Sequence, residues 1–261
     1  MSKLIDKLNR VSQATPQPMG FRVAQSDSPK PKMLLIASLA QPSIDDLADY
    51  VAGADAGLLH ISNLTSGTEA LQKVLQAVSD IPWGGWLRGT GWGEIKQIVK
   101  VGCDFVVFPA ANTSLAIVQD DELGKILEVE ASLSEGLVRA ANELPVDAVL
   151  VTGEQKEGHP LTWQHLMLFQ RFADLLTKPL LVSIPPNVTA GELEALWGAG
   201  VDGVVTEITA EQPQDRLKEL RQVIDKLAFP SPRKREKREV LLPHSGQESG
   251  KAAIEEEEEE Q

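Results

Sequence analysis

A chain of 261 residues that is 42 % apolar and 24 % charged has the proportions of a globular protein and length enough for one large domain or two small ones. Its longest largely apolar run, residues 33–40, falls well short of the roughly 20 residues that span a bilayer, and the single Cys103 excludes an internal disulfide framework or a cysteine-based zinc site. The short apolar runs leave no expectation of a membrane, and a net charge of −13 repels phosphate backbones, so nucleic acid is not an expected partner either.

The chain opens with Leu4, Ile5, Leu8 and Val11 at helical spacing, which predicts a short amphipathic helix packed onto the main domain. Lys3, Asp6, Lys7 and Arg10 interrupt that stretch. No signal peptide is therefore expected, and the chain reads as cytoplasmic. Pro16, Pro18, Pro29 and Pro31 mark a connector, so residues 1–32 form an N-terminal helix and connector with a net charge of +4 from six basic and two acidic groups.

From residue 33 a repeat sets in. Ala54-Asp55-Ala56-Gly57-Leu58-Leu59, Cys103-Asp104-Phe105-Val106-Val107-Phe108, Val146-Asp147-Ala148-Val149-Leu150-Val151 and Val201-Asp202-Gly203-Val204-Val205 share one form: a small or apolar residue, Asp, then an apolar run. Their aspartates lie 49, 43 and 55 residues apart. A second strand-like segment falls between each pair, at 81–89, 125–132 and 178–185, and residues 33–39 precede the first. That gives eight strands, each nearly continuously apolar, as parallel strands covered on both faces are. Helical segments are predicted at 43–52, 68–79, 93–101, 133–143, 162–177, 190–199 and 214–227, while 114–124 leaves room for only a short helix. Ser43 before Asp45 and Asp46 puts carboxylates in a first helical turn, and Gly53, Gly102 and Gly200 sit where left-handed helix caps belong. Eight strand–helix units in residues 33–229 predict a (β/α)8 TIM barrel, with an open doubly wound sheet as the alternative.

In such a barrel the site lies at the C-terminal ends of the strands. Side chains alternate along a strand, so counting from each aspartate places Leu58, Val107, Leu150 and Val205 in an interior layer and His60, Pro109, Thr152 and Glu207 on the rim above it. The same parity turns Ala37, Trp86 with Arg88, Glu128 with Glu130, and Ser183 inward. Glu130, Glu207, Arg88, His60 and Thr152 are thus the candidate catalytic residues. Glu130 and Glu207 are expected as general base or ligands of a divalent cation, Arg88 as a clamp for a substrate carboxylate or phosphate, and His60 or Thr152 as polar helpers. The bland alternative is a structural Arg88–glutamate pair filling the upper barrel. Ser183, Glu154 in the polar loop 153–160, and Trp92 are candidates for substrate binding; the remaining tryptophans read as packing residues.

Residues 178–208, with Lys178-Pro179-Leu180-Leu181-Val182-Ser183-Ile184-Pro185-Pro186 and Ala199-Gly200-Val201-Asp202-Gly203-Val204-Val205, resemble the last units of aldolase-type and phosphate-binding barrels such as thiamine-phosphate synthase and nitronate monooxygenase. The resemblance implies the fold. Those families hold phosphate on glycine-rich backbone after strands seven and eight, where this chain has Pro185, Pro186, Glu207 and Glu211. Proline lacks the amide donor and the glutamates add negative charge, which disfavours phosphate, FMN and nucleotide. No Walker loop, Gly-x-Gly-x-x-Gly, His-Glu-x-x-His or Gly-x-Ser-x-Gly is present, and no lysine falls at an inward strand end for Schiff-base chemistry.

Residues 230–261 carry a basic block, Arg233-Lys234-Arg235-Glu236-Lys237-Arg238, and the run Glu255 to Glu260, too polar to offset the entropy of ordering, so a disordered charged tail is expected. Two functions are compatible with all this. One is a small-molecule lyase or isomerase working by carboxylate acid–base chemistry, with a divalent cation as candidate cofactor. The other is a catalytically silent barrel, a binding or scaffold module whose tail tethers a protein partner; self-association fits either.

Overall fold

The computed structural model of the chain describes residues 2–12, 32–40, 47–62, 64–88, 92–120, 122–153, 160–209, 213 and 215–227. The expected connector 16–32 apart from Lys32, the turn at Ser43, Asp45 and Asp46, the polar loop 153–160 apart from its two end residues, and the tail 230–261 lie outside them. After helix α1 (Lys3–Ser12), strands β1 (Leu34–Leu39), β2 (Ala56–Ile61), β3 (Trp83–Leu87), β4 (Phe105–Pro109), β5 (Gly124–Glu130), β6 (Ala148–Thr152), β7 (Leu180–Ile184) and β8 (Gly203–Ile208) follow in order. Helices α2 (Leu47–Tyr50), α3 (Leu64–Ala77), α4 (Trp92–Val101), α5 (Glu135–Ala140), α6 (Trp163–Leu175), α7 (Ala190–Gly198) and α8 (Arg216–Lys226) separate them, with a 3-10 turn (Leu115–Gln119) in the short link after β4. Every strand pairs in parallel with its neighbours in sequence, and β1 closes the cylinder by pairing with β8, Ser38 opposite Glu207. The chain is a (β/α)8 barrel.

Strand parity separates two apolar layers. Met33, Leu35, Ala37 and Leu39 of the β1 segment face the surrounding helices together with Leu59, Val106, Val149 and Val204. Leu34, Ile36, Leu58, Phe105, Val107, Ile126, Leu150, Leu181 and Val205 fill the barrel. The expectation that Ala37 points inward is therefore corrected: the inward set on β1 is Leu34, Ile36 and the next alternate residue, Ser38. A strand apolar on both faces carries no alternation from which to read its register. On β3, Gly84 leaves the space that the Phe105 ring occupies, since a Cβ there would stand 2.4 Å from the ring.

The recurring aspartates prove to be clasps at the N-terminal ends of the strands. Asp55 donates its N–H to the Leu35 carbonyl and accepts the Leu35 N–H on its carboxylate. Asp147 does the same with Lys125, and Asp202 with Leu180. Each thereby satisfies a backbone pair where the ladder begins. Asp104 keeps the backbone bond, to Trp83, but gives its carboxylate to α1, accepting from the Ser2 hydroxyl (2.7 Å) and from the N–H groups of Lys3 (2.8 Å) and Leu4 (3.0 Å). This is a helix N-terminus capped by a residue about a hundred positions away. So anchored, α1 lays Leu4, Ile5 and Leu8 against the barrel interior, and Gly124 gives it room, because a Cβ there would meet Ser2 and Ile5 within 2.8 Å. The helix predicted from its apolar spacing is thus the plug of the barrel's N-terminal end.

Gly53, Gly102 and Gly200 all have positive φ, between 94° and 103°, the left-handed conformation that ends a helix and that glycine adopts without penalty. Two helix boundaries differ from expectation. The segment 133–143 yields only the short α5, because Asn142 bonds the Leu175 carbonyl and the Thr177 N–H and draws the chain out of the helix. Helix α3 starts earlier than residue 68 and runs through Gly67, whose missing side chain admits Ile61 of β2; a Cβ would lie 2.6 Å from it.

Candidate active site at the barrel mouth

At the C-terminal end of the barrel the inward positions turn from apolar to polar. Ser38 from β1, His60 from β2, Trp86 from β3, Glu128 from β5 and Thr152 from β6 form one connected group. The Ser38 hydroxyl and His60 Nε2 share a hydrogen bond of 2.9 Å. The His60 ring packs on Trp86 with centroids 4.6 Å apart and planes inclined by 43°. Trp86 Nε1–H donates to Glu128 Oε2 at 2.7 Å, and the Thr152 hydroxyl donates to Glu128 Oε1 at 3.3 Å, with the Val129 carbonyl a second acceptor at 3.4 Å. Closed topology is what assembles this group. Register sets His60 beside Trp86 on adjacent strands, whereas Glu128 is two strands further round and is reached only by the long indole.

Burial, and after it the positive charge of Arg88, pushes the His60 pKa below its ordinary value of 6.5. The imidazole is neutral at neutral pH, one nitrogen a donor and the other an acceptor. Glu128 is half-buried and, among the described residues, forms no ion pair. Its two neutral donors occupy about half of a carboxylate's acceptor positions. A carboxylate oriented by an indole and a hydroxyl, with lone pairs left over, is chemically able to take or give a proton.

The other candidates fall around this group. Glu130 stands at the end of β5, exposed, and accepts a hydrogen bond from Ser132 at 3.2 Å. Glu207 is exposed on β8, next to Ser38 in the register. Ser183 is half-buried on β7 at an inward position. Arg88 lies one residue beyond β3 and is exposed. It pairs with neither glutamate of β5, which corrects the notion of an Arg88–glutamate pair filling the upper barrel: the Trp86 indole occupies that role. Trp92 begins α4, with its side chain outside the described residues, as is all of Glu154. Among the described residues no group of three or more His, Cys, Asp or Glu side chains converges to hold a metal ion. His165 serves α6, its Nδ1 accepting the Thr162 N–H at 3.0 Å in a capping box. Cys103 is buried near the opposite end of the barrel, and burial raises its thiol to about 12, which leaves no thiolate for chemistry.

Three members of the group were not among the candidates read from the sequence: Glu128 was recognised as an inward carboxylate, but its strand neighbour Glu130 was named as the base. Ser38 was hidden by the slipped parity on β1. Trp86 was set aside with the packing tryptophans, although it shares inward parity with the polar residues, a signal sufficient to single it out.

The chain matches no protein-family profile, and no curated protein matches it. Solved structures do. A mutant tryptophan synthase alpha-subunit from the hyperthermophile Pyrococcus furiosus superimposes with a TM-score of 0.56 at 11 % identity, over 74 % of this chain and 97 % of that one. Thiamine phosphate pyrophosphorylase from the same organism gives 0.55 at 15 % identity, over 76 % and 98 %. N-(5'-phosphoribosyl)anthranilate isomerase, also from Pyrococcus furiosus, gives 0.56 at 13 %, over 73 % and 98 %. All are TIM-barrel proteins, and at this identity the likeness establishes the fold and nothing finer. Among the described residues no helix is long and apolar enough to cross a membrane.

Proposed function

We propose that the protein is a small-molecule enzyme of the lyase or isomerase type, acting in the cytoplasm, in which the Glu128 carboxylate moves a proton. One observation carries the reading. Glu128 is half-buried in the barrel mouth, bonded at both oxygens to the neutral donors Trp86 and Thr152, with no cation beside it among the described residues. A carboxylate held by neutral donors in a concave mouth, with acceptor positions to spare, is placed for proton transfer.

In this mechanism Glu128 removes the proton from a carbon next to a substrate carbonyl, and the electron pair of the C–H bond passes into an enolate. The neutral His60 imidazole, with one N–H to give, holds the substrate in place beside this step. Glu128 then returns the proton to a neighbouring atom, which completes an isomerisation. Alternatively the enolate pair forms a carbon–carbon double bond and expels a leaving group, which takes up the proton, and the result is elimination. Glu130 and Glu207 are assigned to the rim as auxiliary carboxylates or divalent-cation ligands, whose loss slows exchange far less than the loss of Glu128. Ser183, Glu154 and Trp92 are assigned to substrate contact. The neighbours in fold include an isomerase and a synthase subunit, which supports the class by analogy.

The test works with the substrate still unidentified. The full chain is incubated in D2O with a panel of small 2-oxo and 3-hydroxy acids, and loss of the carbon-bound proton is followed by NMR. Catalysed exchange is expected for one class of acid, slowed by about 10²–10⁴-fold in E128Q. Exchange that persists in E128Q contradicts the role of Glu128, and a panel with no exchange at all favours the silent binding or scaffold barrel.

A further inference from the structure

We propose that the substrate of this mouth carries a carboxylate and that Arg88 and His60 together form its seat, on the β2–β3 side of the barrel and not at the β7–β8 loops. The inference rests on the catalytic reading of the same mouth and adds the chemical class of the ligand.

Guanidinium groups near the strand ends are otherwise engaged. Arg171 donates to the carbonyls of Ala131 and Leu133. Arg216 donates to the carbonyls of Pro186 and Val188 and pairs with Glu219. Among the described residues Arg88 has no hydrogen bond and no ion pair, and its charge is felt at His60. In a chain of net charge −13, with Glu128 and Glu130 two strands away, a guanidinium that pairs with no internal carboxylate is free to bind an external one. Its planar fork matches a carboxylate's two oxygens.

His60 completes the seat. Its Nε2 is engaged with Ser38, and among the described residues Nδ1 has no hydrogen-bond partner. In the tautomer whose Nε2 accepts from the Ser38 hydroxyl, the neutral ring carries its proton on Nδ1 and offers one further donor on this side of the mouth. Trp86 joins this seat to the base, with His60 against its ring and Glu128 on its Nε1.

Phosphate is excluded by the same features. At the β7–β8 side Pro185 and Pro186 have no N–H to offer, Glu207 stands on the rim, and Arg216 is engaged. Around the mouth Glu128, Glu130 and Glu207 repel a dianion about twice as strongly as a monoanion at equal distance, and one fork with one imidazole N–H does not offset that.

The experiment is a titration of the ¹⁵N-labelled full chain with propionate, a monocarboxylate, and, separately, with inorganic phosphate at matched pH and ionic strength. The Trp86 indole N–H, assigned by its loss in W86F, and the His60 imidazole are followed by NMR. Propionate is expected to shift both saturably and to bind more tightly than phosphate, and R88Q is expected to weaken it by about tenfold or more, the loss of a charge-assisted pair. An absent or non-saturating propionate shift, tighter binding of phosphate, or propionate affinity unchanged in R88Q overturns the proposal. E128Q separates the two claims: propionate binding retained in E128Q, with proton exchange failing in the wild type, leaves the seat standing and removes the reaction.

Discussion

His60 is held between a hydroxyl and an indole, with a guanidinium close enough to oppose its protonation, and its titration reports the state of the mouth. The folded chain is expected to show a His60 pKa below 6.5 by NMR, and R88Q is expected to move it upward while leaving it depressed, because burial is the larger cause. The consequence for stability has a definite sign. Where the folded pKa is lower than the unfolded one, the unfolded chain binds more protons in between, so this group's contribution is present above pH 6.5 and is lost as pH falls through the folded pKa. Trp86 gives a second residue-scale prediction. W86F keeps an aromatic ring against His60 but removes the donor to Glu128, and urea unfolding is expected to show a loss of about 1–3 kcal/mol, the range for a hydrogen bond to a charged acceptor. Unchanged stability would mean that the indole bond is not formed in solution. The polar members of this group were legible one by one, since His60, Thr152 and Glu128 interrupt apolar strands. What joins them was not, because an indole spanning two strands leaves no mark in sequence spacing.

At the scale of elements the repeat was legible as a marker and its chemistry was not. The aspartates signalled strand starts, yet their partners Leu35, Lys125 and Leu180 lie 20 to 22 positions earlier on the preceding strand. That separation acquires meaning only once the strands are known to be parallel neighbours. Three clasps fasten the sheet and one fastens α1, and this division is testable. D202A leaves the Leu180 N–H buried without its acceptor and is expected to cost about 1–3 kcal/mol of global stability. D104A is expected to act locally: amide exchange in residues 3–12 should rise toward that of an undocked helix, while the strands keep their protection. Uniform loss of protection across the sheet in D104A would contradict the assignment of that carboxylate to the plug. The boundary errors have local causes as well. Asn142 ends α5 through bonds to a distant turn, and Gly67 is a contact glycine within α3 that makes room for Ile61.

For the molecule as a whole, closure of the barrel was legible because eight apolar strands at even spacing with a two-unit repeat leave few other arrangements. Closure is also what gives the chain a site, since residues from 38 to 152 in the sequence meet only at the mouth of a cylinder. Between the strand-five glutamates the sequence pointed to Glu130, because periodicity alone carries no depth. Both have inward parity, but Glu128 lies deep enough to meet Trp86 and Thr152, whereas Glu130 is at the strand end in solvent with Ser132. The most direct measurement of the account is deuterium exchange into the responsive acid of the panel, with E128Q and E130Q compared side by side. The account predicts a loss of about 10²–10⁴-fold in E128Q and a rate within severalfold of wild type in E130Q; exchange abolished in E130Q and preserved in E128Q would contradict it.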